Sequence, residues 1–304
     1  MTHPTRQRVA VVGVGIMGSA IARRLLACGH HVTVFDLDRA KLTELAAAGA
    51  VAASTAASAC AESEFVITSL NAAGIVKAAV FGEAGVAEGA GADGASKLLI
   101  DMSSISPPST LEFAQALRER CGMGWVDAPL SGGAPKALTG QLTVMAGGTE
   151  QDVARARAVM DSLCANYTHM GPTGAGQTTK LVNQLLCAIA FQAVAEAVRL
   201  AEAGGVDASR LAQALAGGRA DSQILREFGP KMAARDMTPT GRIDNMLKDL
   251  EAVQAFAQGQ RLPLPLTGAV SELHRSFVAA GIGAEDTVAM MGQFSGYRGG
   301  QCGG

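Results

Sequence analysis

Three segments carry residue types and spacings that suit chemistry. The first is VAVVGVGIMGSAIA, in which Gly13, Gly15 and Gly18 make a G-x-G-x-x-G pattern directly after an apolar, β-branched run. Gly13 suits a tight turn, Gly15 lets a backbone approach a pyrophosphate, and Gly18 lets a helix pack closely on a strand. Ile16 and Met17 lie inside this fingerprint, where a helix start would offer free N–H groups and a positive dipole end to phosphate. Met17 itself reads as packing. The second is Asp36, ending the next apolar run at about the 20-residue spacing of a ribose-binding carboxylate. A carboxylate there accepts hydrogen bonds from ribose hydroxyls and repels a 2′-phosphate, which favours NAD over NADP. A helix-capping or turn aspartate is the structural alternative, and neighbouring Arg39 would soften the preference.

The third segment, GPTGAGQTTKLVNQLL, is a glycine-rich turn that opens a long apolar stretch. If a helix begins near Gly176, then Lys180, Asn183 and Gln184 stand at i, i+3 and i+4 on one face near its start. Desolvation and the helix dipole both disfavour a cation there. The lysine pKa should therefore fall toward the range useful for general acid/base work. The adjacent amides would orient the amine or hold a substrate oxygen. From spacing alone the same three residues fit a surface lysine beside two helix-terminal amides equally well.

Positioning such groups requires a scaffold, and the pattern supplies one. Apolar, β-branched runs at 8–13, 31–35, 64–70, 98–101, 124–127 and 142–146 read as strands. Helical spacing at 19–28, 39–48 and 109–120 lies between them. This alternation predicts a parallel, doubly wound α/β sheet. Beyond Gly176 strand signals stop, and one long apolar segment over 177–203 leads a series of helical stretches broken by Gly204-Gly205, Gly217-Gly218, Pro239, Pro263 and Pro265. A helix apolar on most faces must be buried on most faces. The expected organisation is a dinucleotide-binding (Rossmann) domain over 1–173 and an all-helical substrate and dimerisation domain over 174–304, built on one long central helix. The tail from Gly296 should fray.

Composition narrows the function class. With 304 residues, 48% hydrophobic and 17% charged, the chain forms a core and is not a disordered segment. Its 25 basic and 27 acidic residues leave a net charge of −2, which gives nucleic acid or an anionic membrane no electrostatic hold. Cysteines at 28, 60, 121, 164, 187 and 302 form no C-x-x-C pair and read as small buried hydrophobes kept reduced. The histidines, at 3, 30, 31, 169 and 274, have no metal-ligand spacing. The opening residues lack a signal-peptide pattern. The apolar 181–203 stretch is interrupted by Asn183, Gln184, Gln192, Glu196 and Arg199, which argues against a membrane span. A cytoplasmic protein is expected. Arg219, Arg226, Lys231 and Arg242 read as a solvated face, and Trp125 as core.

Taken in order, GVGIMG (13–18), DMSSISP (101–107), DAPLSGG (127–133), GAGQTTKLVNQ (174–184) and KDL (248–250) resemble the β-hydroxyacid dehydrogenases, which include 3-hydroxyisobutyrate dehydrogenase and tartronate semialdehyde reductase. The resemblance covers nearly the whole chain. It implies hydride transfer between a small hydroxy acid and C4 of a nicotinamide, with Lys180 as the catalytic lysine. It also implies that Ser131, Gly132 and Gly133 hold the substrate carboxylate and that Ser104 and Lys248 line the nicotinamide end. Separately, an exposed apolar helix as long as the 177–203 segment usually finds a partner subunit, so a homodimer or homotetramer is expected. One departure stands out: the family commonly reads K-x-x-N-N, whereas here the pair is Asn183-Gln184. NQLL, together with Asn71-Ala72-Ala73 and APKALTG, is similar to the branch acting on four-carbon sugar acids such as L-threonate. Competing readings are an imine reductase, a 6-phosphogluconate-type dehydrogenase, which would need a dense basic phosphate pocket, and a non-catalytic dinucleotide-binding scaffold.

Overall fold

The computed structural model describes residues 6–295, so the 296–304 tail with Cys302, and His3, lie outside the described residues. The chain forms two compact units, Met1–Lys180 and Leu181–Gly304.

In the first unit the strands are β1 (Arg8–Val12), β2 (His31–Phe35), β3 (Val51–Ala52), β4 (Phe65–Thr68), β5 (Leu98–Asp101), β6 (Gly124–Asp127), β7 (Leu130–Ser131), β8 (Leu142–Gly147) and β9 (Cys164–Gly171). The helices between them are α1 (Ile16–Ala27), α2 (Arg39–Ala47), α3 (Ala56–Ala61), α4 (Ala73–Phe81), α5 (Val86–Ala90), α6 (Pro107–Cys121), α7 (Gly133–Leu138) and α8 (Glu150–Met160). Strands run in the order β3-β2-β1-β4-β5-β6, every neighbour parallel. This order reverses between β1 and β4, the point at which open α/β sheets bind ligands. Alternate residues of β1 enter two separate cores. Val9 and Val11 pack with Ile21, Leu25 and Val34, while Ala10 and Val12 pack with Val76, Val80, Phe113 and Trp125. A sheet covered on both faces needs apolar residues at every position, which is why these strands read as continuous runs.

The far end of the sheet departs from the expected parallel plan. β8 pairs antiparallel with β6, through Asp127 and Gly147, and with β7; β9 then adds parallel to β8. The connection from β6 to β8 is taken up by β7 and the six-residue α7, so no full crossover helix forms to return the chain parallel. β9 carried little strand signal because only Tyr167 among its residues is buried. Helices α3, α4, α5 and α8 were likewise unmarked: the first three are alanine- and glycine-rich with weak periodicity, and α8 begins at a Thr149 cap.

The second unit is helical. The long helix α9 (Ala175–Ala203) contains the boundary between the units, and α10 (Leu211–Ala214), α11 (Gln223–Ala234), α12 (Ile243–Gly259) and α13 (Pro265–Ala279) follow. Val194, Ala195 and Val198 of α9 pack with Leu225, Met232, Ile243, Phe277 and Met290. Burial of α9 is less complete than its composition predicted. Only 28% of its most apolar window is buried, and Val182, Leu186 and Leu200 are exposed. By length and composition it is the one helix among the described residues long and apolar enough to cross a membrane. Of the five described cysteines only Cys60 is fully buried; the other four are half-buried. Trp125 is buried beside Phe113, as a core residue should be. Exposed Arg226 pairs with Asp221, exposed Arg242 pairs with Asp244, and half-buried Lys231 donates to the Thr238 carbonyl.

His274 on α13 is fully buried. Its Nδ1–H donates to the Val270 carbonyl at 3.0 Å, and its Nε2 has no partner among the described residues. Burial holds this imidazole below its ordinary value of 6.5. The unfolded chain therefore takes up the proton first as pH drops through that value, and the folded state loses stability by up to about 1.4 kcal/mol per pH unit. Thermal melts from pH 7 to pH 5 should fall more steeply for the wild type than for His274→Leu. Equal slopes would show that His274 does not titrate on unfolding.

Candidate functional site

The glycine turn has the geometry its spacing implied. Gly13 sits at φ +89°, and a Cβ on it would meet Leu70 Cδ2 at 2.5 Å and the Ser69 carbonyl at 2.6 Å. A Cβ on Gly18 would fall 1.9 Å from the Gly13 carbonyl, so α1 lies against the turn as closely as backbone allows. Gly15 differs, because a Cβ there meets nothing within 4 Å. Its open side adjoins the start of α1, whose N-terminus has no side-chain cap and no acidic residue in its first turn. Unsatisfied N–H groups beside open space form a cradle that fits a pyrophosphate. Ile16 projects outward at 84% exposure, while Met17 packs on the core.

Asp36 is tied to this turn. Its Oδ2 accepts from Val14 N at 2.8 Å and its Oδ1 from Asp38 N at 2.9 Å. Each carboxylate oxygen keeps a second lone pair for an incoming hydroxyl. Asp38, not Asp36, caps α2. The cation near Asp36 is Lys41, 4.0 Å from Oδ1, and Arg39 is exposed at the helix start.

The start of α9 is buried against the ends of β6 and β8. Asp127, fully buried, accepts from Gly174 N at 2.8 Å and Gln177 N at 2.9 Å, so its carboxylate caps the helix from another strand. Burial pushes its carboxyl above the usual range, while these backbone N–H groups pull the other way. Gly147 and Gly176 make the approach feasible: a Cβ on Gly147 would lie 2.7 Å from Gly176 N, and one on Gly176 would lie 2.5 Å from the Met145 carbonyl. One turn onward, Lys180 Nζ donates to the Leu130 carbonyl at 2.8 Å. Leu130 immediately precedes Ser131, Gly132 and Gly133, and the two glycines take φ +124° and +68°. Within one unit the amine thus stands beside a turn of solvent-facing glycine backbone.

Ser104 is the exposed crest of the loop after β5, between buried Ser103 and Ile105. Asp101, at the end of β5, accepts from Thr68 Oγ1 and from Ser103 N; burial pushes its carboxyl up to about 6. In the second unit Asn183 Nδ2 donates to Gln184 Oε1 at 2.7 Å, and Gln184 Nε2 donates to Asp249. Lys248, next to Asp249 on α12, is exposed. Asp127, Gln177 and Asp249 were not singled out by sequence reasoning, although each lies inside a motif it quoted. For Asp127 and Gln177 the signal was position, since an acid at a strand end and a polar residue one turn from a lysine are what a buried helix start requires; Asp249, within α12, carried no such signal. No group of three or more metal-ligating side chains occurs among the described residues.

The fold and the phosphate turn define a dinucleotide-binding protein. A family model described as the NAD binding domain of 6-phosphogluconate dehydrogenase matches residues 8–171. A second, described as NAD-binding of NADP-dependent 3-hydroxyisobutyrate dehydrogenase, matches residues 174–294. The chain is 35% identical over 274 residues to the 2-hydroxy-3-oxopropionate reductase of Escherichia coli, covering 90% of this chain and 92% of that one. It is 32% identical over 296 residues to the L-threonate dehydrogenase of Cupriavidus necator, covering 96% and 97%. The solved 3-hydroxyisobutyrate dehydrogenase of Mycobacterium tuberculosis, with L-serine, superposes with a TM-score of 0.83 at 28% identity, covering 95% of this chain and 99% of that one. The chain belongs to the β-hydroxyacid dehydrogenase family, NAD(P)-dependent oxidoreductases that act on CH–OH groups.

The two glycines separate a ligand role from a packing role. Gly15→Ala should keep stability within about 0.5 kcal/mol, because its Cβ meets nothing, yet lose NAD affinity at least about tenfold by filling the cradle. Gly18→Ala should lower stability by about 1–3 kcal/mol through the clash with Gly13. Unchanged NAD binding by Gly15→Ala in calorimetry would remove the cradle assignment.

Proposed function

We propose that the protein oxidises a small hydroxy acid, or reduces the corresponding carbonyl acid, with NAD as the preferred cofactor and Lys180 as general acid/base. The observation that carries this reading is the Lys180 Nζ hydrogen bond to the Leu130 carbonyl, which stations an amine next to the Ser131-Gly132-Gly133 turn. That turn binds the substrate carboxylate through backbone N–H groups, a role that positive-φ glycines permit without steric cost. Lys180, in its neutral form, takes the hydroxyl proton during oxidation and returns it to the carbonyl oxygen during reduction. Asn183, on the same helix face and braced by Gln184, holds the substrate oxygen in line. The dinucleotide, when bound, supplies the hydride acceptor.

Gly13, Gly15 and Gly18, with the start of α1, hold the pyrophosphate. Asp36 takes the adenosine ribose hydroxyls and disfavours a 2′-phosphate. Ser104 and Lys248 serve the nicotinamide end, an assignment supported by the family resemblance. The substrate is drawn from 3-hydroxyisobutyrate, D-glycerate and four-carbon sugar acids such as L-threonate. The similarity to the Cupriavidus L-threonate dehydrogenase over 96% of this chain, together with Gln184 in place of the second family asparagine, supports the last. The reading carries with it a cytoplasmic homodimer or homotetramer. Exposed Val182, Leu186 and Leu200 on α9 give a second copy an apolar face to cover.

A panel of L-threonate, D-glycerate, 3-hydroxyisobutyrate, L-serine and 6-phosphogluconate with NAD or NADP, followed by nicotinamide absorbance, tests the reaction; tartronate semialdehyde is run in reverse. Turnover is expected with at least one small hydroxy acid, and Lys180→Ala should lose it by at least about 10³-fold while binding NAD normally. Silence across the panel would overturn the hydroxy-acid reading, and tighter NADP than NAD binding would overturn the role of Asp36.

A further inference from the structure

We propose that Gln177 is a positioning residue that locks the Ser104 loop to the first turn of α9 and so keeps the nicotinamide end of the cofactor in register with the Lys180 amine. The proposal rests on the reading that Ser104 faces the nicotinamide and Lys180 moves the proton. Gln177 is 1% exposed, and its amide is used at both ends. Its Nε2 donates to the Ser103 carbonyl at 2.8 Å, and its Oε1 accepts from Ile105 N at 3.4 Å. Those two residues flank Ser104. The amide therefore grips the loop on either side of its crest and leaves Ser104 outward.

The same residue is fixed at its backbone, where its N–H donates to Asp127, and Lys180 follows three residues on along the helix. From Ser103 the connection continues toward the phosphate turn. Ser103 Oγ accepts from Leu70 N at 3.0 Å, and Leu70 Cδ2 lies 2.5 Å from where a Cβ on Gly13 would stand. Asp101 braces the loop from below, accepting from Ser103 N at 3.0 Å and Thr68 Oγ1 at 2.8 Å. One buried side chain thus joins the layer behind the phosphate turn to the helix that carries the amine. A leucine would fill the space but leave the Ser103 carbonyl and the Ile105 N–H buried and unpaired.

The test compares the full-length wild type with Gln177→Leu and Gln177→Glu. Two calorimetric probes are used: NADH, and ADP-ribose, which lacks the nicotinamide. Gln177→Leu should weaken NADH binding about tenfold, leave ADP-ribose within about twofold, and lower kcat at least about tenfold where turnover is measured. Gln177→Glu as a carboxylate lacks the donor to Ser103; protonated, it regains one donor and one acceptor. Its deficit in NADH binding relative to ADP-ribose should accordingly shrink from about pH 8 to about pH 5, by more than any change the wild type shows as Asp101 and Asp127, which brace the same loop and turn, take up protons. Should Gln177→Leu not fold, this pH response carries the test. Equal weakening of both probes, or no change in either, would overturn the proposal. The predicted split without turnover of any hydroxy acid would sustain the positioning role and overturn the reaction instead.

Discussion

A buried carboxylate holding the start of a buried helix is the interaction on which the rest of the proposed site depends. Asp127 ends β6 and accepts two backbone N–H bonds from the first residues around α9. Those N–H groups have no partner within the helix and would be costly to bury unpaired, by about 1–3 kcal/mol each. The carboxylate is itself costly to bury, and the same two bonds offset that cost. Each group therefore requires the other. Gly147 and Gly176 are glycines because any side chain would separate β8 from the helix at this point. Once this turn is set, the helix repeat places Lys180 against Leu130 and beside the glycine turn.

The phosphate turn follows the same logic of backbone approaching backbone, with the opposite purpose at one position. Gly13 and Gly18 are filled by protein contacts, whereas Gly15 faces open space. Only the last has its reason outside the chain. Asp36 is tied to this turn by accepting from Val14 N, which holds its carboxylate beside the glycines.

Much of this was legible in the residues. The glycine spacing, the place of Asp36 just after β2, the parallel strands β1, β2, β4, β5 and β6, and the start of α9 all come from local signals: β-branched runs, glycine stops and helical periodicity. The antiparallel end of the sheet was not legible, since a strand such as β8 shows the same apolar run whichever way it pairs. β9 was hidden because it is mostly exposed. Asp127 and Gln177 were visible as residues but not as partners, because hydrogen bonds across about 50 residues leave no spacing pattern. The incomplete burial of α9 shows the limit of composition: apolarity says that a face wants covering, and the described chain leaves Val182, Leu186 and Leu200 exposed.

The decisive quantity is turnover by Asp127→Asn at saturating cofactor and hydroxy acid, in protein shown to be folded. Asparagine keeps the shape but turns an amide N–H toward one of the two helix N–H groups, so the first turn of α9 must shift. If this cap positions the lysine, kcat falls at least about tenfold while ADP-ribose affinity stays within about twofold, because the phosphate turn is remote from the change. Full kcat in a folded Asp127→Asn protein would contradict the dependence of Lys180 on this cap.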